Sequence, residues 1–223
     1  MKVVQLGLMD YAKALEIQEM LLGKRQQYII GDVLLLVEHP PVLTVGRSGK
    51  YSNIITGIEM LKSMGVSAYD VNRGGDVTYH GPGQVVGYPI MDLGLHGRDI
   101  KIFVWKIEEV FILLLKEKYG IIAHREEKKY TGVWVGNEKI TAIGIAVKRW
   151  VTMHGFAFNV NTDLEHFNWI NPCGITDRGV TSLCKILGKH QNFEELNKLT
   201  SEYFCRVFNT QPVYTDITDI DSL

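Results

Sequence analysis

Cysteine is the residue type in this 223-residue chain best suited to nucleophilic chemistry, because a thiolate attacks carbonyl carbon and then leaves readily. Cys184, in Ser182-Leu183-Cys184-Lys185-Ile186-Leu187, and Cys205, in Tyr203-Phe204-Cys205-Arg206-Val207-Phe208, lie in apolar helical patterns. Free cysteine is among the most buried residue types, so both are expected in the core. Cys173 lies in Asn171-Pro172-Cys173-Gly174, where proline fixes one torsion and glycine opens conformations closed to other residues. Such a turn presents a thiol to a cleft with backbone N–H groups close to it. It equally suits a tight turn carrying a small residue, and local sequence does not choose between the two.

A thiol needs an activator, since free cysteine has a pKa of roughly 8.5. His80, in Thr78-Tyr79-His80-Gly81, and His154, in Met153-His154-Gly155-Phe156, are candidate bases on apparent strands, although a strand histidine is more often a hydrogen-bonded structural residue. Lys139, beside the turn in Asn137-Glu138-Lys139-Ile140, reads by itself as an exposed lysine. Gly81-Pro82-Gly83-Gln84-Val85-Val86-Gly87 misses the dinucleotide-binding spacing by one residue, and no GxxxxGK[ST], HExxH or GxSxG occurs, so phosphate loops, zinc hydrolases and serine hydrolases are unsupported. With three cysteines and no CxxC spacing, neither a disulfide framework nor a zinc site is indicated, and a reducing, cytoplasmic setting fits.

The elements that must position these groups follow from periodicity. Val3–Leu6 reads as a short strand, Tyr11–Leu22 as a helix, Val33–Val37 as a buried strand, and Val42–Val45 and Val85–Ile90 as further strands. Arg98–Tyr119 is the longest helical pattern, with Ile102, Trp105, Ile107, Val110, Leu113 and Leu114 broadly on one side. Thr131–Val135, a Gly136-Asn137-Glu138 turn and Ile140–Val147 read as a β-hairpin, and Val151–Val160 as another strand. The last third is expected to be mainly helical, with Phe193, Leu196, Tyr203, Phe204 and Val207 as core candidates. Central strands with helices at both ends indicate a mixed α/β fold. The formal net charge is −1, with 46% hydrophobic and 22% charged residues, which argues against a nucleic-acid or membrane-surface role. Apolar runs such as Val110 to Leu115 are too short to span a bilayer.

Taken together and in order, Arg73-Gly74-Gly75-Asp76-Val77-Thr78-Tyr79-His80-Gly81-Pro82-Gly83-Gln84, Lys139-Ile140-Thr141-Ala142-Ile143-Gly144, His154-Gly155-Phe156-Ala157-Phe158-Asn159-Val160 and Asn171-Pro172-Cys173-Gly174 closely resemble the LipB family of octanoyltransferases, also called lipoyl(octanoyl) transferases or lipoate-protein ligases B. Gly7-Leu8-Met9-Asp10-Tyr11, Glu38-His39-Pro40-Pro41-Val42 with Gly46-Arg47, and Val180-Thr181-Ser182-Leu183 match as well, so the resemblance covers most of the chain. Asp76 stands where many members carry glutamine.

The resemblance implies a biotin/lipoate protein ligase-like fold: one catalytic domain over residues 1–223, a mixed β-sheet flanked by helices. It implies transfer of octanoyl from acyl carrier protein, through an acyl-thioester on Cys173 with Lys139 as partner, to a lysine of a lipoyl domain. The acceptors would be lipoyl domains of 2-oxoacid dehydrogenases and the glycine cleavage H protein, in the first step of endogenous lipoate synthesis, without ATP, metal or cofactor. Substrate-binding roles fall on Arg73, Gly74, Gly75, Asp76, Val77, Thr78, Tyr79 and His80, on Ala142, Ile143 and Gly144, and on His154, Gly155, Phe156 and Ala157. Small residues at 74, 75, 144 and 155 would leave room for the acyl chain, whose burial supplies ~0.8 kcal/mol per CH₂. Backbone N–H groups at Cys173 or near Gly144 are the oxyanion-hole candidates. Arg47, Lys50, Lys148 and Arg149 are candidates for a basic rim facing the carrier protein, with solvated surface charge as the plainer account of each. The expected protein is a cytoplasmic monomer. The rival functions are an ATP-dependent lipoate or biotin ligase on the same fold, a non-catalytic acyl-binding protein, and a cysteine hydrolase using His80 or His154 as base.

Overall fold

The computed structural model describes residues 1–126, 130–171 and 178–220. Pro172, Cys173 and Gly174 therefore lie outside the described residues. Strand β1 (Lys2–Leu8) runs into helix α1 (Tyr11–Gln26), started by Asp10, whose carboxylate accepts the Ala12 N–H at 2.8 Å. Strand β2 (Val33–Glu38) follows and pairs in parallel with β1. Its all-apolar run has a plain cause. Leu34 and Leu36 point into one core and Val33, Leu35 and Val37 into another, on opposite faces of the same sheet.

Strands β6 (Gln84–Ile90), β7 (His124–Arg125), β8 (Gly132–Val135), β9 (Glu138–Lys148), β10 (Val151–Asn159), β11 (Gly179–Val180) and β12 (Val213–Tyr214) complete this sheet. Among the described residues it has nine strands, in the order β12-β1-β2-β6-β10-β9-β8-β7, with β11 paired in parallel to β9. Helix α3 (Ile100–Tyr119) and helix α5 (Phe193–Val207) cover one face, and α1 covers the other. Helix α3 is capped by Asp99, which accepts from Lys101 and Ile102, and is ended by left-handed Gly120. Its buried stripe is Phe103, Ile107, Val110, Phe111, Leu114 and Leu115. Ile102 and Trp105, expected on that side, are half exposed at 52% and 50%; the Trp105 ring is instead covered by the Arg125 guanidinium at 4.3 Å. Leu196, Tyr203 and Phe204 of α5 are buried as expected, while Phe193 and Val207 sit at the margin of the core.

A second sheet, β4-β3-β5, stands off the first: β3 (Val42–Val45) lies between β4 (Ser67–Asp70), parallel, and β5 (Val77–His80), antiparallel. Leu43, Val45, Val77 and Tyr79 form its own core with Leu61 of α2 (Ile58–Ser63) and with Phe167 and Trp169. Strand β3 matches the expected Val42–Val45, but β4 was not legible in the sequence, because Ser67–Asp70 is exposed or half-buried throughout and has no alternating pattern. Among the described residues, no helix is long and apolar enough to cross a membrane. Cys205 is fully buried, and burial pushes its thiol up. Cys184, in helix α4 (Leu183–Leu187), is only half-buried, contrary to its expected place in the core.

Candidate active site

Segments far apart in sequence meet where the small sheet leans over the α1 face of the large one. They enclose a cavity of about 50 Å³, or about 400 Å³ with its open mouth included. Ala142, Ile143 and Gly144 of β9 and Gly155, Phe156 and Ala157 of β10 form a largely apolar side. The polar side comes from Arg73, from Thr78 and His80 of β5, from His154, and from Tyr11 of α1 and Tyr88 of β6.

The polar side is held by directed hydrogen bonds. Asn159 Nδ2 donates to the Thr181 carbonyl at 3.0 Å, so Asn159 Oδ1 accepts from Gln84 Nε2 at 2.8 Å, and Gln84 Oε1 accepts from His80 Nδ1–H at 2.8 Å. His80 is thereby a neutral ring whose Nε2 is an acceptor, and burial, with the nearby His39 and Arg73, pulls it down to about 3. The Thr181 N–H in turn bonds the Lys139 carbonyl at 3.0 Å, which ties this chain of amides to β9. His39 donates through Nδ1 to the Met9 carbonyl at 2.7 Å and accepts the Tyr88 hydroxyl at Nε2, also at 2.7 Å. The Tyr11 ring stacks on His80 at 6.3 Å, and burial pushes its hydroxyl up to about 12. The Arg73 guanidinium is buried and bonds the Thr44 carbonyl at 2.7 Å and the Thr44 hydroxyl at 2.9 Å.

His154 occupies the cavity against the parity of its strand. Phe156 and Phe158 point to the α3 and α5 core, and Met153 and Ala157 to the α1 core, so regular alternation would send an imidazole at 154 toward α3. Instead His154 has φ +56°, a left-handed value that re-aims the side chain. Extending the β6–β10 register past Phe156–Gly87 brings it opposite Pro89, which has no N–H to offer a ladder. Its own N–H goes to Gln18 Oε1 at 2.9 Å, and its Nε2–H to Asn72 Oδ1 at 2.7 Å. Burial, with the charges of Arg73 and Arg47, pulls its ring down to about 4. Next to it, a Cβ on Gly155 would stand 2.1 Å from the Gly87 oxygen and 2.6 Å from Pro89 Cδ, so glycine is needed for β6 and β10 to approach.

Lys139 is also placed by a departure from regular pairing. Val133 pairs with Thr141 but Trp134 pairs with Lys139, so a β-bulge leaves Ile140 as the extra residue. Ile140, Ile143, Ile145 and Val147 face the α3 and α5 core. Without the bulge Lys139 would share their face; with it, Lys139 joins the side of Ala142 and Gly144. Lys139 Nζ donates to the Thr131 carbonyl at 3.0 Å and lies 4.9 Å from the Trp134 ring centroid. Its stem lies over Gly132, where a Cβ would stand 3.3 Å from both Lys139 Cδ and Cε. Glu108 of α3 accepts the Gly132 N–H at 3.1 Å. Burial raises its carboxyl, opposed by that N–H and by the charges of Arg125 and Lys139.

The structure thus gathers most of the expected substrate residues but not all. Gly74 sits at the rim, its N–H bonded to the Ile145 carbonyl at 2.8 Å. Gly75 and Asp76 secure the neighbouring loop instead: Ser48 N–H bonds the Gly75 carbonyl, and the Asp76 carboxylate accepts from Asn53 at 2.6 Å. Val77 and Tyr79 point away, into the core of the small sheet. Tyr11, His39, Tyr88, Gln84 and Gly132 were not singled out by sequence. Tyr11 and His39 lay in matched blocks, whereas Tyr88 and Gly132 carried no local signal. Cys173 lies outside the described residues, which run up to Asn171 and resume at Arg178. Before it, Asn171 N–H bonds the Asn53 carbonyl at 2.7 Å; after it, Gly179 and Val180 of β11 lie in register with Glu138 and Lys139.

Residues 10–205 match the lipoyl protein ligase A/B catalytic domain. The chain is 56% identical over its whole length to an octanoyltransferase of Caldicellulosiruptor saccharolyticus, covering 95% of that protein. Among solved structures, a lipoate-protein ligase A bound with ATP superposes with a TM-score of 0.79 at 16% identity, over 99% of this chain and 90% of the other. A biotin protein ligase from Aquifex aeolicus superposes with a TM-score of 0.53 at 12% identity, over 94% of this chain and 69% of the other. These two likenesses establish the fold.

Proposed function

The chain belongs to the lipoyl protein ligase A/B catalytic domain family, and from that premise we propose that it is an octanoyltransferase working through a Cys173 acyl-thioester. The donor is octanoyl-acyl carrier protein. The acceptors are lysines of lipoyl domains in 2-oxoacid dehydrogenases and of the glycine cleavage H protein. The observation that carries this reading is the pinning of β11, which follows the Asn171-Pro172-Cys173-Gly174 motif, in register beside Lys139. The Lys139 ammonium and the strand that follows the cysteine motif thus share one place in the sheet. A cysteine nucleophile that must stay reduced suits a cytoplasmic enzyme.

In the first half-reaction the Lys139 ammonium stabilises the Cys173 thiolate, which attacks the thioester carbonyl. The new bond is S–C to Cys173; the bond broken is S–C to the carrier thiol, which takes its proton from Lys139. In the second, the acceptor amine attacks the acyl-cysteine, N–C forms, S–C to Cys173 breaks, and neutral Lys139 takes the proton released by the amine. Thioester exchange is nearly balanced and amide formation is downhill, so no ATP is consumed. The apolar side of the cavity, from Ala142 to Gly144 and from Gly155 to Ala157, takes the acyl chain.

Intact-mass analysis tests the scheme directly. Incubated with octanoyl-acyl carrier protein and no ATP, the enzyme is expected to gain one octanoyl group and to pass it to an added lipoyl domain. Cys173→Ala should fold, gain no adduct and transfer nothing; wild-type transfer by that variant would end the covalent scheme. Release of free octanoate would indicate a hydrolase, and absence of any adduct until ATP and free acid are supplied would indicate a ligase.

A further inference from the structure

We propose that Trp134 is a positioning residue for the acyl transfer: its indole face holds the Lys139 ammonium, charged, at the reaction centre. The inference rests on the reading of Lys139 as the partner of Cys173. Trp134 is buried at 2% exposure and is the cross-strand partner of Lys139 across the bulge. Its Nε1–H donates to the Tyr130 carbonyl at 2.8 Å, which fixes the ring's orientation. Lys139 Nζ lies 4.9 Å from the ring centroid, and the Arg178 guanidinium 5.1 Å from it.

Two cations therefore draw on one indole. Arg178 also lies 4.4 Å from the Tyr130 ring and is paired with Glu126 at 2.6 Å. Its charge is thus balanced by a carboxylate as well as by the rings. For Lys139 the indole face and the Thr131 carbonyl are both groups that favour a cation, and a cation on a desolvated aromatic face is held more firmly than at an exposed site. Among the described residues, the other charges around this corner include Glu108 and Glu109 of α3, Arg125, which pairs with both, Glu138 on β9, and Lys185, which pairs with Glu138 at 2.6 Å.

The consequence is a specific pH signature. Removing the π-face lets Lys139 lose its proton at lower pH, so the alkaline limb of the transfer rate moves down. A less firmly held cation also stabilises the Cys173 thiolate less, so the acid limb moves up. The bell narrows from both sides. General loss of packing lowers the rate without this opposed movement.

The test compares Trp134→Met, which keeps apolar volume without a ring, Trp134→Phe, which restores a ring face, and a ring-fluorinated tryptophan at position 134, which keeps shape while weakening the quadrupole. Lys139→Ala serves as control, and unfolding curves verify the fold. Read-outs are transfer rate against pH and the pH dependence of Cys173 alkylation by peptide mapping. The expected result is an alkaline limb lowered by about 0.4 to about 1.5 pH units in Trp134→Met, a smaller displacement in the same sense for the fluorinated ring, and recovery of most of the shift in Trp134→Phe. Unmoved limbs in the fluorinated protein and Trp134→Met, alongside an impaired Lys139→Ala, would overturn the role of Trp134. A Lys139→Ala enzyme with wild-type rate and profile would instead remove the premise about Lys139.

Discussion

At the scale of single residues, Gly132 matters more than its lack of a side chain suggests. Its φ of +138° and the Thr141 oxygen 2.5 Å from any added Cβ leave no space there, and the Lys139 stem lies over the same spot. Gly132→Ala is expected to displace the Lys139 stem and cut the transfer rate about a hundredfold, the order of loss that follows an ångström of misplacement. It should also cost about 1–3 kcal/mol of stability. Steady-state transfer and urea unfolding measure the two losses separately; an undiminished rate would refute Gly132 as the seat of Lys139. The sequence marked Lys139 only through its block of motif residues, since a lysine beside a turn is ordinarily exposed. Its placement depends on Gly132 and Trp134, which carry no such mark.

At the scale of elements, the site is made by two irregularities in an otherwise regular sheet. The bulge at Ile140 brings Lys139 to the cavity side, and the left-handed backbone at His154 brings the imidazole there. Both work because β6, β10, β9 and β8 are close enough for one residue's conformation to be set by its cross-strand neighbour. That closeness can be tested at β10. Gly155→Ala must push backbone atoms of β6 away and is expected to destabilise by about 3 kcal/mol or more. Gly23→Ala, in α1 with nothing within 4 Å of the added Cβ, should stabilise by about 0.5–1 kcal/mol. Urea midpoints moving oppositely in the two variants are the expected outcome; a tolerated Gly155→Ala would show that the strands can part without cost. Strand positions in β2, β3, β6 and β10 were legible in the sequence within a residue or two, because sheets buried on both faces leave continuous apolar runs. The outer strand β4 left none.

At the scale of the whole molecule, the cavity is lined by rings kept neutral by burial, and acid stability reports on them. His154 is held near 4 and His80 near 3, and His39 is also lowered. Below the unfolded histidine pKa of roughly 6.5, the unfolded chain takes up protons that these folded rings refuse. Stability is therefore full above that value and falls as pH drops toward the folded values, by at most about 1.4 kcal/mol per pH unit for each histidine. Asp32, drawn below its usual range by hydrogen bonds from His96 and Arg25 that outweigh its burial, adds a further loss at still lower pH. Urea midpoints measured from pH 7 to pH 4.5 should decline, and His154→Gln should flatten the decline. A level stability across that interval would contradict buried neutral rings.

The sequence alone indicated octanoyl transfer and the class of fold. Its ordered blocks raised the expectation of Cys173 and Lys139 as the reacting pair, named the cavity residues Arg73, His80, Gly144 and His154, and indicated a mixed sheet with helices, because residue identity and apolar period are local properties. Only the tertiary structure decided which side of the sheet Lys139 and His154 occupy, that Val77 and Tyr79 serve a separate core, that Tyr11 and Tyr88 line the cavity, and that Trp134 packs against Lys139. Side-chain direction in a strand follows parity until a neighbouring strand breaks it. Here the neighbours that break it, Pro89 opposite His154 and Val133–Trp134 opposite the Ile140 bulge, are fixed by pairing across the sheet and have no signature in the segments they redirect.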